Sequence, residues 1–183
     1  FELIEGENKD IKALLEPILD YAFDKGLFTP NSIIQRDLFE SLIMDILTER
    51  PSSLNKTFYD LYNISPSKAT NFYYEMSKNN NYIKTSRTSK NIVWKSNTKY
   101  GNLNLTINLS KPEKDPRDII ALQESKKTDY PKCLLCKENV GFYGSNTKPG
   151  RSNHRIIKLD LNNEEFYLQY SPYSYYEEHL IVL

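Results

Sequence analysis

The spacing of apolar residues changes period once along this chain, and that change restricts the possible folds more than any other feature. Up to residue 76 the apolar positions recur three and four apart. The first set is Ile11, Leu14, Leu15, Ile18, Ala22 and Phe23, then come Ile34, Leu38, Leu42 and Ile46, and finally Ala69, Phe72, Tyr73 and Met76. This is the signature of helices that each bury one face. From residue 91 the period drops to two in "NIVWKS" and "NLNLTINLS", which predicts a strand pair joined by a turn around residues 97–101. Helices first and strands afterwards make an α+β fold.

Local signals punctuate the helical half. Gly26 stands where a left-handed helix cap is expected, and Pro17 either kinks the first helix or opens a shorter one. Asn31 or Ser32 is placed to cap a second helix that Pro51 closes. A short helix is expected over 53–62, and another in "SPSKATNFYYEMSK", with Ser65 as its cap and Pro66 in its first turn. Three helices followed by a hairpin suggest a winged helix. The charged segment 111–132 holds three prolines and one expected helix. It separates a helical domain, 1–110, from a small antiparallel β portion, 133–183. In the latter, strands are expected at 155–161, 165–170 and 179–183, the first two joined by a tight turn at Asn162-Asn163.

Charge narrows the classes. Lysine plus arginine and aspartate plus glutamate both number 24, so the net charge is zero, yet residues 1–50 carry 5 basic and 11 acidic side chains. Between Met76 and Pro112 there are seven basic side chains and no acidic one. A solvated face or a nucleic-acid surface would both show this asymmetry, but overall neutrality weighs against DNA binding, which rests on phosphate neutralisation. No apolar run reaches the ~18–20 residues of a membrane helix, and no signal-peptide pattern opens the chain, so a cytoplasmic location is expected. The first residue is not methionine and the last falls within a strand-like run, which reads as a piece of a longer protein.

The chain has two cysteines, Cys133 and Cys136, in "PKCLLCK". This spacing suits two thiolates on one tetrahedral metal, a thiol redox pair, or two structural cysteines. The flanks lack the strand-loop-helix setting of a redox pair. His154 and His179 lie too far away, at irregular spacing, for a Cys2His2 finger. Half of the six glycines, Gly141, Gly144 and Gly150, fall in "GFYGSNTKPGRSNHR" among Lys148, Arg151 and Arg155. Such a loop can cradle a phosphate or can be plain surface, and no P-loop or dinucleotide fingerprint accompanies it. Tyr170, Tyr173, Tyr175 and Tyr176 could edge a sugar or base pocket, fill a sheet core or form an interface.

Together "YPKCLLCKENVGFYG", "RSNHRIIKLDL" and "FYLQYSPYSYYEEHLIVL" resemble the class 2 galactose-1-phosphate uridylyltransferases of low-GC Gram-positive bacteria, with the match closest over 111–183. The resemblance implies the N-terminal portion of a histidine-triad-like transferase, whose domain is cut short here. It also implies the family's reaction in galactose metabolism: transfer of the uridylyl group from UDP-glucose to galactose 1-phosphate through a uridylyl-histidine intermediate. The family's nucleophile sits in a His-x-His segment that this chain lacks. No catalytic residue is therefore assigned, and the chain alone is expected to be inactive. Cys133 and Cys136 match the cysteine half of a structural zinc site. Asn153 matches an asparagine that meets the UDP ribose, with His154 replacing the neighbouring acid, and Arg151 and Arg155 are placed to bring charge to a phosphate. A homodimer is expected. The competing reading is a winged-helix nucleic-acid regulator with a small metal module. A third makes 1–110 an interaction module joined to the enzyme.

Overall fold

The computed structural model describes residues 11–27, 33–111, 120, 135–144 and 150–183. The helix expected within 111–132 lies outside the described residues, apart from positions 111 and 120.

A 3-10 turn, Ile11–Leu14, leads into α1, Leu15–Asp24, which puts Pro17 in the first helical turn, where a missing amide donor costs no helical bond. Gly26 (φ 68°) ends the helix in a Schellman motif: the Leu27 N–H donates to the Ala22 carbonyl and the Gly26 N–H to that of Phe23, both at 2.9 Å. The buried face of α1 is Leu15, Leu19 and Ala22, while Ile18 and Phe23, expected inward, face solvent.

Helix α2 spans Ile33–Leu47, α3 Pro51–Ile64, α4 Pro66–Asn79 and the single turn α5 Thr85–Thr88. Pro51 opens α3 instead of closing α2, and α3 is longer than the expected 53–62. Ser65 stands at the N-cap of α4 with Pro66 behind it, and Ala69 and Tyr73 point inward as the spacing predicts.

The hairpin forms as β1, Ile92–Thr98, and β2, Gly101–Ile107, paired from Ile92↔Ile107 to Thr98↔Gly101. Directly opposed residues share a face, so Ile92, Trp94, Leu103, Leu105 and Ile107 line one side of this ribbon. Both sides are largely exposed, and β1 and β2 make their main contact with each other. The packed arrangement of a winged helix is not seen. Instead, the base of the ribbon is clamped elsewhere. The Asn91 amide donates to the Ser174 carbonyl (3.1 Å) and the Asn108 amide to that of Tyr173 (3.0 Å).

A second sheet orders β3 (Ile157–Leu161), β4 (Glu164–Tyr170) and β5 (Leu180–Val182), all antiparallel. Asn162 and Asn163, with φ of 56° and 66°, make the β3–β4 turn, a conformation asparagine tolerates at low cost. One face of this sheet packs on α3 and α4. Leu54, Phe58, Ala69, Tyr73, Ile157, Leu168 and Tyr170 form one core with Tyr82 and Ile83 from the α4–α5 connection. Helices α3 and α4, before residue 110, and the sheet after it therefore share one core, while Leu15, Leu19, Ala22 and Met44 of α1 and α2 form a separate one. The buried Tyr73 hydroxyl lies 2.7 Å from the Arg155 carbonyl and 3.1 Å from that of Leu168, tying helix to sheet. Alternation along β4 turns Glu165, Tyr167 and Gln169 to the other face. There Gln169 donates to the Leu135 carbonyl (2.8 Å) and Lys137 reaches Glu165 (3.0 Å), so the segment around Cys136 covers that side.

Candidate functional site

Helix α2 departs most from its sequence reading. Ile46, expected inward, is 78% exposed, and the buried positions are Asp37, Glu40, Ser41 and Met44, with Thr48 just beyond the helix. An acidic pair one turn apart can be buried only if cations meet it. Lys84 lies 2.8 Å from Glu40 and 3.4 Å from Asp37, Arg87 grips both Asp37 oxygens, and the Tyr173 hydroxyl donates to Asp37 at 2.9 Å. Burial pushes the Asp37 carboxyl up, but Lys84, Arg87 and Tyr173 together hold it below the usual carboxylate range; Lys84 and Arg36 do the same for Glu40. Sequence reading missed this cluster because its partners lie far along the chain, Lys84 44 residues from Glu40, Arg87 50 and Tyr173 136 from Asp37.

Asn80 and Asn81, just after α4, form a junction. Asn81, at φ 57°, donates to Glu40 (2.9 Å), and Asn80 exchanges amide bonds with Asn153: Asn80 Nδ2 to the Asn153 carbonyl at 2.7 Å and Asn153 Nδ2 to the Asn80 carbonyl at 2.8 Å. These bonds carry residues 150–155 across the ends of α2 and α4. The glycines serve the same close approach. A Cβ on Gly150 would stand 2.4 Å from Ser41 Oγ and 2.8 Å from the Tyr143 carbonyl oxygen, and one on Gly144 2.8 Å from the Gly150 nitrogen. Lys148 lies outside the described residues.

The three expected substrate residues are thus brought together, all buried. Arg155 is fully engaged: Nε donates to the Glu49 carbonyl (2.8 Å), Nη1 to those of Ser152 (2.7 Å) and His154 (3.1 Å), and Nη2 to Asp45 (2.6 Å). The side-chain NH2 of Asn153 serves the Asn80 pairing. Arg151, 6% exposed, donates from Nη1 to the Tyr82 hydroxyl (2.8 Å), and its Nε has no partner. His154, 1% exposed, stacks on Tyr82 at 4.2 Å and 10°, with neither ring nitrogen hydrogen-bonded. Burial, then the charges of Arg151 and Arg155, hold its pKa well below the ordinary histidine value, so the ring is neutral.

Of the expected metal pair, Cys133 lies outside the described residues, and Cys136 is half-buried at the start of the 3-10 turn Lys137–Asn139. Among the described residues no group of three or more His, Cys, Asp or Glu side chains is placed to hold a metal ion. No helix among them is long and apolar enough to cross a membrane.

Comparison with known proteins matches residues 3–183 to the N-terminal domain of galactose-1-phosphate uridyl transferase. Similar proteins named galactose-1-phosphate uridylyltransferase include one from Clostridium acetobutylicum, 50% identical over 183 residues, covering 100% of this chain and 37% of that protein. One from Clostridium perfringens is 50% identical over 169 residues, 92% of this chain and 34% of that protein. One from Lactococcus lactis is 44% identical over 179 residues, 98% and 36%. The chain thus spans about a third of the length of these curated relatives. No solved structure matches significantly. A family match across nearly the whole chain establishes that the chain belongs to the galactose-1-phosphate uridyl transferase family and corresponds to its N-terminal domain.

Proposed function

We propose that this chain is the N-terminal part of an enzyme that transfers the uridylyl group of UDP-glucose to galactose 1-phosphate through a covalent uridylyl-histidine, with the nucleophile outside these 183 residues. The match over residues 3–183 carries the reading. Its contribution here is a wall built from residues 150–155. Asn153 and Arg155 hold the backbone of that wall on the helical layer, and Arg151, which has no carboxylate within salt-bridge distance among the described residues, gives it positive potential toward a nucleotide phosphate. Cys133 and Cys136 would supply two thiolates to a structural zinc, with the remaining ligands from elsewhere in the longer protein. A homodimer belongs to the same proposal, and the exposed apolar residues Ile92, Trp94 and Leu103 offer surface for it.

The test is turnover. A protein of the relatives' length that contains this sequence should release glucose 1-phosphate from UDP-glucose and galactose 1-phosphate, and the 183-residue chain should not. Failure of the longer protein to transfer the uridylyl group sinks the proposal. So does turnover by the short chain that survives replacement of both histidines.

A further inference from the structure

Six buried side-chain polar atoms lack a partner among the described residues, and four of them belong to the single stretch Arg151, Ser152 and His154. Beside that stretch lies a cavity of about 20 Å³, lined by Asp37, Tyr82, Lys84, Arg151 and Tyr173 among others. A single water needs about 10–15 Å³ by this measure, so one particle of water or halide size fits and a phosphoryl group does not.

Charge decides between water and ion. The buried acids Asp37 and Glu40 are met by Lys84 and Arg87, while Arg151 has no carboxylate within salt-bridge distance among the described residues. Arg36 also meets Glu40 and is shared with Glu16, so three acids against four bases leave one positive charge, and burying the unpaired guanidinium of Arg151, which is 6% exposed, is costly. Among the groups lining the cavity, Arg151 and Tyr82 have unused capacity of donor type. Arg151 Nε has no acceptor, and the Tyr82 hydroxyl accepts from Arg151 while its own proton has no described acceptor. Asp37 faces the same cavity, but its oxygens are occupied by Arg87, Lys84 and the Tyr173 hydroxyl.

We propose that this cavity is a binding site for one monatomic anion, chloride under ordinary conditions, held by Arg151 and the Tyr82 hydroxyl and closing the junction between α2 and residues 150–153. The site stands whether or not the transferase reading holds.

The experiment is thermal unfolding of the 183-residue chain at fixed ionic strength, with low-millimolar bromide or chloride replacing gluconate. The expected midpoint rise is about 3–6 °C at ten times the dissociation constant. Tyr82→Phe, which keeps the ring stacked on His154, should need several-fold more halide for the same rise, and Arg151→Gln should abolish it. If Arg151→Gln does not fold, crystals grown in bromide decide by anomalous scattering: a peak within hydrogen-bond distance of Arg151 and Tyr82 supports the site. Equal midpoints in halide and gluconate, a rise unchanged in Tyr82→Phe, or water in place of bromide would overturn it.

Discussion

Protonating His154 should destabilise this protein from the inside. The ring is buried against Tyr82, flanked by two arginines, and bonded through neither nitrogen, so the imidazolium has no acceptor in the folded state. In the unfolded chain the same histidine titrates near about 6.5. The native pKa lies well below that value, so between the two the unfolded state binds one more proton, and stability is complete above about pH 6.5 and falls as the pH drops. The slope is at most about 1.4 kcal/mol per pH unit, which bounds the loss between neutrality and pH 5 at about 2 kcal/mol, or about 4–8 °C in melting temperature for a chain of this length. Asp37 and Glu40, held below the usual carboxylate range, do not titrate in this window. The assay is urea denaturation at a series of pH values for the wild type and His154→Phe, which keeps an aromatic ring on Tyr82 and removes the titrating group. The difference between the two curves should widen toward pH 5, by up to the stated amount. Parallel curves would refute the reasoning, since they would mean that His154 binds its proton equally in both states.

Two further outcomes follow from the same packing. Gly150→Ala places a Cβ 2.8 Å from a backbone oxygen and 3.2 Å from the Leu38 Cα, neither of which can swing aside, and should cost about 1–3 kcal/mol by chemical denaturation. A change below 0.5 kcal/mol would mean that Gly150 does not pack on α2 as described. Lys84→Met leaves Asp37 and Glu40 short of a cation and should cost about 3–5 kcal/mol near neutral pH. Because both carboxyls are lowered in the folded protein, the stability they contribute is present above their unfolded values of about 4 and is lost as pH falls through the native values. A wild-type and Lys84→Met difference under 1 kcal/mol at neutral pH would show that the acids are not buried.

Much of the architecture was legible from local chemistry, because it is decided by neighbours in the chain. Gly26 ends α1, Pro66 follows the cap of α4, Asn162 and Asn163 turn β3 into β4, and the apolar period separates helices from strands. The family was legible too, from motifs that lie mostly after residue 130. What each face would meet was not. The sequence offers α2 an apolar stripe through Ile46 and a polar one through Asp37 and Glu40. Only the arrival of Lys84, Arg87 and Tyr173 from distant elements makes the polar stripe the one that can be buried. The same holds for Arg151 and Arg155, which look alike in the sequence. The Asp45 carboxylate and three carbonyls saturate Arg155, whereas Arg151 meets a single phenol and lines a small cavity. Propensity and turn chemistry act over a few residues and can be read in order along the chain. Desolvation and charge pairing depend on which atoms are brought together, and that is settled only by the tertiary structure.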